Sequence, residues 1–333
     1  MPQPTLITPG DPAGIGPEIA LKALAHNPDL RSHTVMMGDE AHLQSLADNL
    51  DLSVRFSNWE LGEPLASDSI TLLPLSWPAK VVSGQPDAAN AETIITAIAH
   101  AVSLAQKGTV SGIVTCPIAK SVLYDVGFAF PGHTEYLGSL SQIGHEPIMM
   151  LANTELRVVP ATIHIALQEV PNRLDKTALT SLIYRVSEAL QRDFGLSNPH
   201  IAICGLNPHA GEQGRMGQEE ETVIAPAITD AQYQLGDTAT ISGPHAADSL
   251  FHKEKRHNVD CVIGMYHDQV LIPLKTIDFH GGVNITLGLD FVRTSPDHGT
   301  AFDIAGQGIA NESSLVQAIK VARDLGERRH HHG

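Results

Sequence analysis

Short apolar runs ending at glycine or proline alternate with longer stretches of helical periodicity along most of this chain, and that alternation restricts the fold more than any other feature. TLIT leads into PGDPAGIGPEIALKALA, which reads as a strand, a tight Pro/Gly turn and a helix. Ala91–Gln106 has apolar residues at roughly helical spacing, and the apolar run GIVTC after it is ended by Pro117. RVVPATIHIAL reads as a buried strand and TALTSLIYRVSEALQRDFG as an amphipathic helix closed by glycine. IAICGL, CVIGMY and VNITLGL read as further strands, EETVIAPAITDAQYQLG and SSLVQAIKVARDLG as further helices. Strands separated by helices pair through crossovers, which predicts an α/β fold with a largely parallel sheet under helical layers. At 333 residues the chain exceeds the roughly 250–300 at which one core stops growing, so two domains are expected. With no repeat or low-complexity linker to tether them, crossing strands should join the two.

Charge and cysteine usage narrow the function classes. A net charge of −16 argues against a nucleic-acid backbone as partner, although a few local cations can still dominate one pocket. No stretch approaches the run of about 18 apolar residues that a membrane span needs. The opening MPQPTLITPG has no basic region followed by an apolar one, so no secretory signal is read there. Cys116, Cys204 and Cys261 are few, odd in number and widely spaced, which suits reduced thiols in a cytoplasmic protein.

Histidine is over-represented, at 18 residues. The terminal run His330–His332 is set aside. His209 in ICGLNPHAGEQGRMG and His267 in VIGMYHDQ each follow an apolar strand, where ligands of α/β sheets gather. His164 in ATIHIAL is polar among apolar neighbours. Three imidazoles with an open fourth position suit a catalytic divalent metal, and Asp268 could orient His267. The competing reading for each is a structural histidine bonded to backbone. His133 and Thr134 in PGHTEYLG stand at a helix start, where they either cap the helix or hold a phosphate or carboxylate. Lys275, Asn284 and Arg293 supply two cations and an amide within one segment, either a grip on an anion or ordinary surface. SPDHGTAFDIAGQGIAN has three glycines and few core residues, so its backbone could approach a flat ligand closely. GDPAGIGPE matches neither standard nucleotide loop and reads as a strand-to-helix turn.

These segments together resemble the 4-hydroxythreonine-4-phosphate dehydrogenase family of pyridoxal phosphate biosynthesis. The resemblance runs through ITPGDPAGIGPE, TCPIAK, FPGHTEYLG, LRVVPATIH, ICGLNPHAGEQGRMGQEE, GPHAADSLF, MYHDQVLIPLK and GVNITLGLDFVRTSPDHGTAFDIAG, covering nearly the whole chain. It implies that His164, His209 and His267 hold the metal, shared between two subunits of a homodimer. It implies substrate-binding roles for His133, Thr134, Lys275, Asn284 and Arg293, and catalytic roles for Asp248, as proton acceptor, and Lys275. The loop from His298 to Asn311 is also similar to the adenosine-binding loop of isopropylmalate and isocitrate dehydrogenases, which implies cofactor contacts at His298, Gly299, Asp303 and Asn311. Their fold is implied with it: two α/β/α domains with a cleft between them, here residues 1–128 with 290–329 and residues 129–289. The sequence departs from the family pattern before Lys120 in TCPIAK and at His245 in GPHAAD, away from the histidine triad.

The implied activity is NAD- or NADP-dependent oxidation of 4-phosphooxy-L-threonine, with zinc, magnesium or cobalt as the metal, followed by decarboxylation. The alternatives are a paralogous dehydrogenase of a phosphorylated threonate or erythronate or of a dihydrodiol, a metallohydrolase using the same triad to activate water, and a non-catalytic binding protein.

Overall fold

The computed structural model describes residues 3–332, with side chains through 329. The chain divides into two compact units, one running to Pro147 and resuming at Leu289, the other Ile148–Gly288. Residues 129–147, which the sequence reading assigns to the second domain, pack with the first: Tyr136 and Leu137 are buried in the same core as Ile94, Ile98 and Leu123.

The first unit carries β1 (Thr5–Thr8), β2 (Thr34–Gly38), β3 (Phe56–Asn58), β4 (Ile70–Pro74) and β5 (Gly112–Thr115). The second carries β6 (Ile148–Ala152), β7 (Arg157–Pro160), β8 (His200–Cys204), β9 (Thr240–His245), β10 (Cys261–Gly264) and β11 (Val283–Leu287). β12 (Arg293–Pro296) returns to the first unit. The first unit's strands lie in the order β3-β4-β2-β1-β5-β12, every neighbouring pair parallel. The second unit's lie in the order β11-β6-β7-β10-β8-β9, in which β7, β10, β8 and β9 are mutually parallel and β6 is antiparallel to both its neighbours. The strands β1, β2, β5 and β10 are buried along their whole length and carry short apolar runs, whereas β12 is equally buried although its residues, RTSP, are mostly polar.

Parallel strands need long return paths, and helices supply them here. Gly16–His26 begins with Pro17 at its second position, where the missing N–H costs nothing. By length and composition Ala88–Gln106 would pass for a membrane span, which the sequence reading did not anticipate. It is a core helix instead, with Ile94, Ala97, Ile98, Ala101 and Val102 buried in the first unit. In the second unit Lys176–Phe194 buries Leu179, Ile183, Val186 and Leu190 at helical spacing. Its ends are both fixed, since Asp175 accepts a hydrogen bond from Ala178 N at 2.9 Å and Gly195 closes the helix at φ 69°. Cys116, Cys204 and Cys261 are free and buried, each thiol pushed up to about 12 by burial.

Replacing Asp175 by alanine should remove about 1 kcal/mol of stability. Urea unfolding should show a lower midpoint at unchanged slope; an unchanged midpoint would mean the cap carries no weight.

Candidate active site

In the second unit, four neighbouring parallel strands end at one edge, and each is followed by a residue singled out from sequence. His164 follows β7, His267 follows β10, His209 follows β8 and Asp248 follows β9. The sequence reading places His164 within a strand, but β7 stops at Pro160 and His164 lies in the exposed loop beyond it. Backbone bonds to the β10 segment continue only through Ala161 N to Gly264 O and Thr162 N to Met265 O, two residues short of His164.

These loops are tied to one another by a buried threonine and a half-buried glutamine. Thr162 donates through both its backbone N (3.2 Å) and its hydroxyl (2.7 Å) to Met265 O, joining the His164 loop to the His267 loop. Gln269 accepts from Met265 N at 2.7 Å and donates to Gly205 O at 2.8 Å, joining the His267 loop to the His209 loop. The rings of His164 and His267 stand 5.8 Å apart, centre to centre. Two imidazoles sharing a tetrahedral ion at about 2.1 Å per nitrogen have ring centres roughly 5 Å apart, so this pair is near ligating distance. Asp268 Oδ1 lies 2.7 Å from His267 Nδ1 and so directs the other ring nitrogen outward. His164 and His209 are exposed, and their rings make no hydrogen bond among the described residues. A histidine retained for packing is buried and bonded; these two are neither.

The donor set therefore fits a borderline divalent ion, with neutral nitrogens and room for a substrate oxygen. Among the described residues no three His, Cys, Asp or Glu side chains cluster closely enough to hold an ion within one chain. One chain brings together His164 and His267, and His209 does not join them. A pocket beside the pair is walled by Ile163, Ile165, Leu167 and Tyr266, with Ile165 and Leu167 themselves exposed.

The His209 loop has unusual backbone. Residues 209–214 all have positive φ: 52°, 51°, 78°, 44°, 57° and 76°. Left-handed backbone costs about 1–2 kcal/mol for each residue that carries a Cβ, and four of these six do. Such strain persists only where the surroundings enforce it. Asp248 is exposed in the short helix Ala247–Leu250. Lys275 lies 5.7 Å from the Phe279 ring, and Asn284 Oδ1 on β11 is buried without a hydrogen-bond partner among the described residues. His245, the departure from the family pattern, shares Ser242 Oγ with His200 at 2.9 and 2.8 Å and so serves the β8–β9 edge.

In the first unit the loops after β1, β4, β5 and β12 meet at the carboxyl edge of the sheet. Asp11 N donates to Pro117 O, Gly84 N to Ala13 O and Ile15 N to Thr300 O, at 2.7–2.9 Å. Arg293 reads from sequence as a surface cation or an anion grip; it is 3% exposed and donates from Nε and Nη2 to Thr115 Oγ1 at 3.1 and 2.8 Å. Burial lowers its pKa to about 10, which still leaves it charged at neutral pH. His133 opens the helix His133–Leu140, and its Nε2 is sealed from solvent without a hydrogen-bond partner among the described residues. Burial, and then the Arg293 charge, hold its pKa well below the usual 6.5, so the ring is neutral. Thr134 is not the cap: Gly132 occupies that position and no side chain caps the helix.

The glycine-rich loop is held by two residues not recognised from sequence. Glu18, fully buried, accepts from Gly306 N at 2.9 Å and Ala310 N at 3.0 Å. Lys22, one turn further along the helix Gly16–His26, donates to Gly308 O and Ala310 O. Gly299 and Asp303 are exposed, and an added Cβ at Gly299 would meet nothing within 4 Å. His298 Nδ1 lies 3.1 Å from Gly299 O, and Asn311 Oδ1 accepts from Ser313 N at 2.8 Å, a bond at the start of the last helix. The only signal for Glu18 was its place two residues after Gly16 in GPE; a carboxylate in a turn motif does not announce burial.

Residues 30–322 match the model of the family described as pyridoxal phosphate biosynthetic protein PdxA. The chain belongs to this family. A 4-hydroxythreonine-4-phosphate dehydrogenase of Paracoccus denitrificans (strain Pd 1222) is 48% identical over 98% of this chain and 99% of its own length. The crystal structure of 4-hydroxythreonine-4-phosphate dehydrogenase from Klebsiella pneumoniae aligns with a TM-score of 0.88 at 35% identity, over 97% of this chain and 99% of that one. A terephthalate 1,2-cis-dihydrodiol dehydrogenase from Burkholderia xenovorans LB400 aligns less closely, with a TM-score of 0.65 at 28% identity over 97% and 98%. The family is one of dehydrogenases, and this two-unit α/β fold is the one its solved members share.

The neutral His133 has a consequence for stability. Below about pH 6.5 the unfolded chain takes up a proton at this residue that the folded chain refuses, so stability falls as pH drops from that value toward the lowered folded pKa. His133→Asn should flatten the decline of Tm across that interval. Parallel profiles for the two proteins would show that His133 is not held neutral.

Proposed function

We propose that this chain catalyses NAD- or NADP-dependent oxidation of 4-phosphooxy-L-threonine at C3. The product, 2-amino-3-oxo-4-phosphooxybutanoate, would lose CO₂ to give 3-amino-2-oxopropyl phosphate for pyridoxal 5'-phosphate synthesis. The observation that carries the reading is the placement of His164, His267, His209 and Asp248 on four adjacent strand ends. End-to-end similarity to 4-hydroxythreonine-4-phosphate dehydrogenases supports it. The weaker likeness to the dihydrodiol dehydrogenase ranks that substrate class second.

The chemistry that bound groups would supply is hydride acceptance by the dinucleotide and Lewis acidity by a divalent ion of the zinc, cobalt or magnesium type. The chain's own residues do the rest. His164, His209 and His267 would hold the ion, and Asp268 fixes the ring of His267. Asp248 accepts the C3 hydroxyl proton as hydride leaves the same carbon. Lys275, Asn284, Arg293, Thr134 and His133 bind the phosphate, carboxylate and amine. In that set Arg293 keeps its charge despite burial, and His133 stays neutral and can donate or accept. The loop shaped by Glu18 and Lys22 carries His298, Gly299, Asp303 and Asn311, which would contact the dinucleotide.

A homodimer completes this reading. His209 does not cluster with the other two histidines in one chain, and the exposed Ile165 and Leu167 beside them suit burial against a second copy. The three reduced thiols fit a cytoplasmic enzyme.

Chelator-stripped protein should not reduce NAD or NADP with 4-phosphooxy-L-threonine, and added zinc, cobalt or magnesium should restore the reaction with one CO₂ released per reduced nucleotide. His209→Ala should lower kcat by at least about a hundredfold, since Lewis-acid stabilisation is worth several kcal/mol and about 1.4 kcal/mol is tenfold in rate. Full activity in the stripped His209→Ala protein would refute the metal-assisted reading. Phosphate release without a dinucleotide would point to hydrolysis instead.

A further inference from the structure

The left-handed run at residues 209–214 needs an enforcing group, and one acidic side chain is wedged into it. Glu220, 4% exposed, accepts from Asn207 N at 2.7 Å and from Asn207 Nδ2 at 3.0 Å, one bond to each carboxylate oxygen. Asn207 is two residues before His209, so these bonds fix the entry to the turn. Space for the carboxylate exists only because its neighbours lack side chains. A Cβ on Gly211 would stand 2.6 Å from Glu220 Oε2, and one on Gly205 would stand 3.0 Å from Glu220 Oε1. Gly205 is also the residue whose carbonyl Gln269 holds, which ties the same point to the His267 loop. Glu219 adds a second acceptor for Asn207 Nδ2 at 2.7 Å. Glu220 is the first residue of a five-residue π-helical segment, Glu220–Ile224, a local widening that is frequent at functional sites.

We propose that Glu220 is a positioning residue for the metal site: through Asn207 it holds the left-handed turn that presents the His209 ring. This rests on the reading of His209 as a ligand. Glu220 touches neither the ion nor the substrate. A carboxylate is required because two donors must be satisfied on two oxygens, and an amide offers only one acceptor.

Cobalt(II) titration of the full-length protein, read by visible absorption and by competition with a chelator, tests this without an activity assay. Glu220→Gln should bind cobalt about 10- to 100-fold more weakly, the usual penalty for losing a group that orients a ligand. Far-UV circular dichroism should be unchanged. Gly211→Ala, whose Cβ displaces the same carboxylate, should weaken binding similarly, and it decides the matter if Glu220→Gln does not fold. Glu221→Gln, its exposed neighbour, should bind like the unaltered protein. Cobalt affinity in Glu220→Gln or Gly211→Ala equal to that of the unaltered protein would overturn the positioning role alone. Failure of the unaltered protein to bind cobalt would overturn the metal reading and this inference with it.

Discussion

The parallel pairing of β7, β10, β8 and β9 is the constraint from which the rest of the second unit follows. Parallel strands deliver all their carboxyl ends to one edge, so the loops after them become neighbours although they are far apart in sequence. Strand order then sets which loops are adjacent: the His164 and His267 loops lie on neighbouring strands, as do the His267 and His209 loops. Thr162 and Gln269 convert that adjacency into fixed geometry by satisfying backbone groups across it. The loops are fixed by backbone and amide groups beneath the histidines, so His164 and His209 need no ring bond to hold them, and Asp268 takes only one nitrogen of His267.

The first unit solves a different electrostatic problem. Burying a guanidinium is costly unless its donors are met, and Arg293 is accommodated partly by the Thr115 hydroxyl. Its charge, added to the cost of burial, keeps His133 neutral. The same unit uses a buried carboxylate for shape: Glu18 receives two backbone N–H groups of the glycine-rich loop and fixes a segment with few side chains of its own to pack. Glu18 and Glu220 are thus similar devices in the two units, each holding a loop through backbone or amide donors.

Much of the architecture was legible because buried parallel strands leave continuous apolar runs and helices leave a 3.6-residue period. Ala91–Gln106 and the helix ending at Gly195 read correctly for that reason. Where sequence reading failed, a local signal was overridden by tertiary structure. ATIHIAL alternates like a strand, yet β7 ends at Pro160 and its backbone bonds to the β10 segment go no further than Thr162. The NPHAGEQG segment holds only two glycines, so nothing in composition announces six left-handed residues; Glu220 enforces them from thirteen residues beyond Asn207. Arg293 carries a charge that ordinarily means surface, and its burial follows only from β12 pairing with β5. The break after Pro147 was misplaced because the helix His133–Leu140 looks the same from sequence whichever core it joins.

X-ray absorption spectroscopy of the zinc- or cobalt-loaded protein tests the central claim most directly, because it counts imidazoles around the ion without reference to turnover. Three histidine nitrogens at about 2.0–2.1 Å with imidazole multiple scattering are expected. A shell of oxygens with one imidazole or none would contradict the claim.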